Sequence, residues 1–131
     1  MSGPVLAERR TDRPAVTLVL TVWDRRSHVI ARIWRGWTTP ENADAYQRIV
    51  SQEVLPGIAA RNLDGYHGAY LLRRRLDDEV EFATILLFDT LEQVRAFAGD
   101  DYEVAYVPPR ARAVLARFDQ RSAHYDTLLR P

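Results

Sequence analysis

From residue 29 onward the apolar positions alternate between near-continuous runs that fit strands and a three-to-four spacing that fits helices. The run Val29-Ile30-Ala31-Arg32-Ile33-Trp34 predicts a first strand over about Val29–Trp37. Thr39, Pro40 and Glu41 then supply an N-cap, a first helical residue and an acidic first turn. Ala43, Tyr46, Val50 and Val54 form one stripe of a helix expected to end near Pro56-Gly57. Tyr66–Arg75 and Val80–Phe88 read as two strands joined by a tight turn through Leu76-Asp77-Asp78-Glu79. Thr90 with Gln93 spells a capping box for a second helix that stops at Gly99. A loop over Asp100–Pro109 leads to a short helical piece near Ala111–Leu115 and a last strand over about Arg117–Leu129. The order βαββαβ is the ferredoxin-like α+β arrangement with an antiparallel sheet.

Half-buried strands usually alternate apolar and polar residues because one face meets water. Val29–Trp34 and Phe82–Phe88 leave no such wet face. Two helices cover one side of a four-stranded sheet, so the other side is expected to meet a second copy of the chain. At 131 residues the chain has room for one domain. Residues 1–28 read as an N-terminal extension, with a proline-containing polar lead, a β-like run Val16–Trp23 and a charged break at Asp24-Arg25-Arg26; residues 29–131 read as the domain. The Val16–Trp23 run is too short to span a bilayer and no small-residue cleavage site follows it, so a cytoplasmic protein is expected.

Composition narrows the chemistry. Eighteen basic and eighteen acidic residues balance, which gives no general attraction to nucleic acid or acidic membranes. Every basic residue is arginine, so a Schiff-base lysine is absent, and with no cysteine there is no disulfide, thiol nucleophile or cysteine metal site. No phosphate loop, serine-hydrolase elbow or dinucleotide-binding glycine pattern occurs, and the histidines lack metal-site spacing.

Arg32 and Trp34 share one face of the first strand. A buried arginine is costly unless partnered. It either holds an anion beside an aromatic wall for a flat substrate, or closes an internal or dimer salt bridge. His67 lies on the second strand and His124 on the last, where alternation puts His124 with Ser122 and Asp126. Either histidine is a candidate base, and either could be structural. Tyr102 and Tyr106 flank Pro108-Pro109 in a loop that could lid a pocket.

The stretches Ile30–Gly36, Gly68–Arg74 and Phe88–Gly99, with the final His124-Tyr125-Asp126, resemble the antibiotic-biosynthesis-monooxygenase family over about Val29–Leu129. The resemblance implies a dimeric α/β barrel, two ferredoxin-like sheets packed face to face. It also implies cofactor-independent oxidation of a planar phenolic or polyketide-type molecule by O2. Where haem-degrading relatives carry asparagine, tryptophan and histidine, this chain has Trp34, Phe97 and Val107, so no haem is expected, nor flavin or metal. On that reading His124 or His67 acts as base and Arg32 stabilises the substrate anion. Trp34, Tyr70, Phe88, Phe97, Tyr102 and Tyr106 bind substrate. The alternatives are a non-oxidative cyclase, isomerase or dehydratase, or a non-catalytic small-molecule-binding dimer.

Overall fold

In a computed structural model that describes residues 29–131, five strands form one antiparallel sheet with the helices on one face. β1 (Ile30–Thr38) is central. It pairs on one side with β3 (Val80–Phe88), which carries β2 (Tyr66–Arg75) at its far edge. On its other side β1 pairs with β4 (Arg117–Phe118) and β5 (Ala123–Asp126). The order is that of the ferredoxin-like fold, with β4 and β5 sharing the place of the last strand.

Thr39 caps the first helical segment, its hydroxyl accepting from the Asn42 N–H at 3.3 Å. A 3-10 turn at Pro40–Asn42 leads into α1 (Ala43–Ile49), a π-helical turn at Val50–Val54 and α2 (Leu55–Ala60). The helix therefore runs through Pro56 instead of ending there. A proline inside an α-helix removes a hydrogen bond and crowds the carbonyl four residues back. Here the ladder widens before it, Leu55 donating to the Val50 carbonyl, so the chain passes the ring without breaking. α3 (Leu91–Ala98) starts at the expected Thr90/Gln93 capping box and ends at Gly99, whose φ is +95°. Gly65, at φ +75°, lies against this box, where an added Cβ would sit 2.0 Å from Gln93 Oε1.

The last strand is not continuous. After Phe118 the chain bulges through Asp119, whose N–H donates to the Arg35 carbonyl and whose own carbonyl accepts the Trp34 indole N–H at 2.7 Å. Charges around the β2–β3 turn pair beyond the turn itself. Arg74 meets Glu81 on the facing strand, Arg73 reaches Asp44 on α1, and Glu79 binds Arg117.

The two sheet faces differ sharply. The helix side buries Ile30, Arg32 and Trp34 of β1 and Phe82, Leu86 and Phe88 of β3 beneath Ala43, Tyr46, Val50, Ile58, Val94 and Phe97. The other side carries Ala31, Ile33, Ala83, Ile85 and Leu87, all half-buried, with Leu72, Tyr70 (56 % exposed) and Tyr125 (56 % exposed) around them. No helix among the described residues is long and apolar enough to cross a membrane.

Candidate functional site

β1 and β5 pair with Arg32 directly opposite His124, which brings two residues 92 positions apart onto one patch of sheet. Arg32 is 3 % exposed. Its Nη1 donates to the Tyr102 carbonyl and lies 3.0 Å from His124 Nε2, and its Nη2 donates to the Val104 carbonyl at 3.0 Å. The guanidinium also stacks on the Phe97 ring, 5.4 Å from its centroid. No carboxylate meets it among the described residues. Burial alone pushes its pKa down to about 10, still far above neutrality, so the charge stays.

Arginine has only N–H donors, so the ring nitrogen facing it must accept. His124 is therefore neutral with its proton on Nδ1. Burial, and then the neighbouring Arg32 charge, hold its pKa below the ordinary imidazole value against a smaller opposing pull from Glu103. Three buried side-chain polar atoms lack a partner among the described residues: Thr38 Oγ1, Ser122 Oγ and His124 Nδ1. Two of the three belong to this corner.

Arg32 and Ser122 line a cavity between sheet and helices. Its volume is about 50 Å³, room for roughly three to five waters at about 10–15 Å³ each. Trp34, Thr84 and Leu86 complete the floor, Tyr46, Val50, Val54, Leu55 and Ile58 roof it, and Phe97, Tyr106 and Pro108 close the side. The π turn thus lies over the cavity, at its Val50 and Val54 ends. Trp34 lies flat because Gly36 follows it on the same face; a Cβ there would come within 2.9 Å of Trp34 Cη2 and Leu115 Cδ2. Burial pushes the Tyr46 phenol well above its usual pKa, keeping it neutral. Outside, a groove of about 370 Å³ shares Val54, Tyr106 and Pro108 with the cavity. Glu53 and Arg110 also line that groove and form a two-pronged ion pair at 2.8 and 2.9 Å.

Of the residues singled out in the sequence, Arg32, Trp34, Phe97 and Tyr106 meet at the cavity. His124 and Tyr102 stand behind Arg32, their rings edge to face at 5.0 Å. His67 does not line the cavity; it is exposed, with Nε2 2.5 Å from Asp89 Oδ1. Tyr70 points to the open face, opposite Ile85. Phe88 is fully buried in the core between Tyr66 and Phe97. Sequence reasoning missed Ser122 as a site residue, although alternation had placed it with His124, and took Tyr46 and Val54 as helix stripe only. No group of three His, Asp or Glu among the described residues is placed to hold a metal ion.

Fold and cavity together define a ferredoxin-like α+β protein with a small aromatic chamber and one buried arginine in its wall. No protein-family model matches the chain, and no curated protein matches it. Solved structures do. A Bacillus cereus protein named provisionally as an antibiotic biosynthesis monooxygenase superposes with a TM-score of 0.53 at 8 % identity, over 79 % of this chain and 97 % of that one. This chain shares its fold. A monooxygenase from the gene ActVA-Orf6 of Streptomyces coelicolor, in complex with nanaomycin D, matches at 15 % identity and a TM-score of 0.46, over 84 % of this chain and 94 % of that one.

Proposed function

We propose that the chain is a monooxygenase that oxidises a planar phenolic or polyketide-type small molecule with O2, without metal, haem or flavin, and works as a homodimer closed across the open sheet face. One observation carries this reading: a buried, charged arginine without a carboxylate partner among the described residues, set in the wall of an aromatic cavity. Such a cation stabilises an anion developing on a bound substrate, and does so more strongly in a dry site than in water. The shared fold with a protein named as a monooxygenase supports the same class.

For an anthrone-type phenol the step is the loss of a proton from the reacting methylene carbon, giving a delocalised anion held by Arg32. The anion passes one electron to O2, and the radical and superoxide join through a new C–O bond. The hydroperoxide then loses water to leave a carbonyl. Overall, one methylene and one O2 become one carbonyl and one water. With His124 Nε2 accepting from Arg32 and neither histidine lining the cavity, the proton of a substrate that Arg32 has made more acidic passes to water at the cavity mouth and is returned to the peroxide oxygen once the C–O bond has formed. Trp34 and Phe97 supply the flat walls, and Tyr106 covers the entrance. The exposed apolar face, with Tyr70, Leu72 and Tyr125, supports the dimer.

Oxygen uptake by metal-free protein on an anthrone-type phenol, with product mass measured with and without air, tests the reading. Expected is an air-dependent gain of a quinone oxygen, reduced about 10²- to 10³-fold in Arg32→Ala. Equal turnover without air would replace the oxygenase with a non-oxidative enzyme. Wild-type turnover in Arg32→Ala would remove Arg32 from the mechanism.

A further inference from the structure

Counting donors on Arg32 says more about the ligand than its charge does. Guanidinium carries five N–H groups. Nη1 spends both of its hydrogens, on the Tyr102 carbonyl and His124 Nε2, and Nη2 spends one on the Val104 carbonyl. Among the described partners this leaves the Nε–H and one Nη2–H. Nε and Nη2 are also the two nitrogens with which Arg110 grips both oxygens of Glu53 in this same chain. Ser122, 4 % exposed, lines the same cavity, and its buried hydroxyl has no partner among the described residues. Leaving such a group unmade costs stability, so its retention asks for an acceptor that the described residues do not provide.

We propose that the cavity binds its ligand through a carboxylate, gripped by Nε and Nη2 of Arg32 and by the Ser122 hydroxyl, so that the ligand is an aromatic acid. The inference rests on the cavity being the substrate site of the proposed function and names the charged group its substrate carries; with both remaining donors on that carboxylate, Arg32 stabilises the anion that develops on the ring through its charge, without a hydrogen bond to it. A planar two-oxygen anion matches the two remaining donors of the fork, and a single phenolate oxygen matches one. The inner chamber holds the carboxylate and the first part of the ring. The rest of the ring displaces Tyr106, which is 45 % exposed, and extends past Val54 and Pro108 into the outer groove.

Titration calorimetry with 2-naphthoate, 2-naphthamide and 2-naphthol tests the headgroup on one constant ring. Naphthoate is expected to bind at least about tenfold tighter than either neutral probe, as a charge-assisted pair in a dry site should. In Ser122→Ala the naphthoate affinity is expected to fall about three- to tenfold, and by more than the amide affinity does. This variant removes an oxygen that bonds nothing among the described residues, so it serves even if Arg32→Gln, expected to abolish the preference, fails to fold. Equal binding of the three probes, tighter binding of naphthol, binding of none of them, or a naphthoate affinity unmoved by Ser122→Ala would overturn the proposal. Turnover is not read in this titration. Absence of oxygen uptake therefore leaves a carboxylate preference standing, and loss of that preference leaves an oxygenase of neutral phenols standing.

Discussion

Arg32 and Arg35 lie three residues apart on β1 and so face opposite sides of the sheet. Arg35 is exposed, pairs with Asp119 at 3.1 Å and stacks on Trp37, whose indole also carries Arg117 with its guanidinium 4.0 Å from the centroid. Arg74 meets Glu81 on the same side. Charge on the open face is therefore locally balanced, within reach of water. Arg32 is buried, held by two backbone carbonyls and a neutral histidine, and meets no acidic side chain among the described residues. A buried unpaired charge is among the more expensive things a fold can keep. On one face arginine decorates a surface; on the other it is buried against backbone carbonyls and an imidazole, with no acidic partner among the described residues.

The open face offers the largest effect with which to break that contrast. If it is the seam of a homodimer, placing a carboxylate at its centre should separate the subunits. Ile85→Glu, opposite Ile33 and Tyr70, is expected to shift light-scattering mass from dimer to monomer with the strand content in circular dichroism retained. A wild-type monomer at micromolar concentration would end the dimer reading and leave the face to another occupant.

On the cavity side, Gly36→Ala places a methyl 2.9 Å from both Trp34 and Leu115. Overpacking of this kind costs about 1–3 kcal/mol, and because the strain falls on the indole that floors the cavity, it should also change tryptophan fluorescence and weaken naphthoate binding. A change in melting temperature without any change in binding would show that the Trp34 indole is not placed by Gly36.

How much of this contrast is legible in the sequence differs by element. Of the three long strands, β2 and β3 stand where the sequence put them and β1 lies one residue further along, and the Thr39 and Thr90 caps stand where side-chain oxygens precede helical stripes. Those signals are local. Arg32, Trp34, Phe97 and Tyr106 were recognisable because a charge or a large ring on a core element is conspicuous. Pro56 misled because the π turn that accommodates it depends on Leu55 donating five residues back, which no propensity encodes. The split of the last strand has a tertiary cause too: Asp119 leaves the ladder where its carbonyl takes the Trp34 indole N–H. Ser122 had no signal beyond sharing alternation with His124, because a small hydroxyl looks the same on a surface and in a pocket. His67 and His124 looked equivalent in type. The β-bulge between Tyr66 and Gly68, and the register with Arg32, separate them.

His124 sharpens the contrast through pH. Its folded-state pKa lies below the ordinary imidazole value near 6.5, so the unfolded chain binds the proton more readily. Stability is unaffected by this group at higher pH, falls as pH drops below about 6.5, and levels off below the folded-state pKa. Protonation also removes the acceptor from Arg32 and sets a second cation beside it. Wild type is therefore expected to lose more melting temperature between pH 7.5 and 5.5 than His124→Gln, whose side-chain oxygen still accepts from Arg32. Equal losses would mean that His124 does not titrate against Arg32.

The smallest effect belongs to Arg35. An exposed pair with Asp119 contributes about 0–1 kcal/mol, and its stacking on Trp37 about 0.5–1 kcal/mol, with Arg117 still covering that indole after the change. Arg35→Ala should thus cost about 0.5–2 kcal/mol in denaturant unfolding and leave naphthoate affinity and oxygen uptake within about twofold of wild type. The variant removes one arginine from the same strand that holds Arg32, so the general positive charge of β1 changes equally in both substitutions. If Arg35→Ala weakens naphthoate binding as much as Arg32→Gln does, the anion responds to net charge at a distance. If only the Arg32 substitution weakens it, binding depends on the buried donors themselves, and the difference between the two faces of one strand becomes the basis of the site.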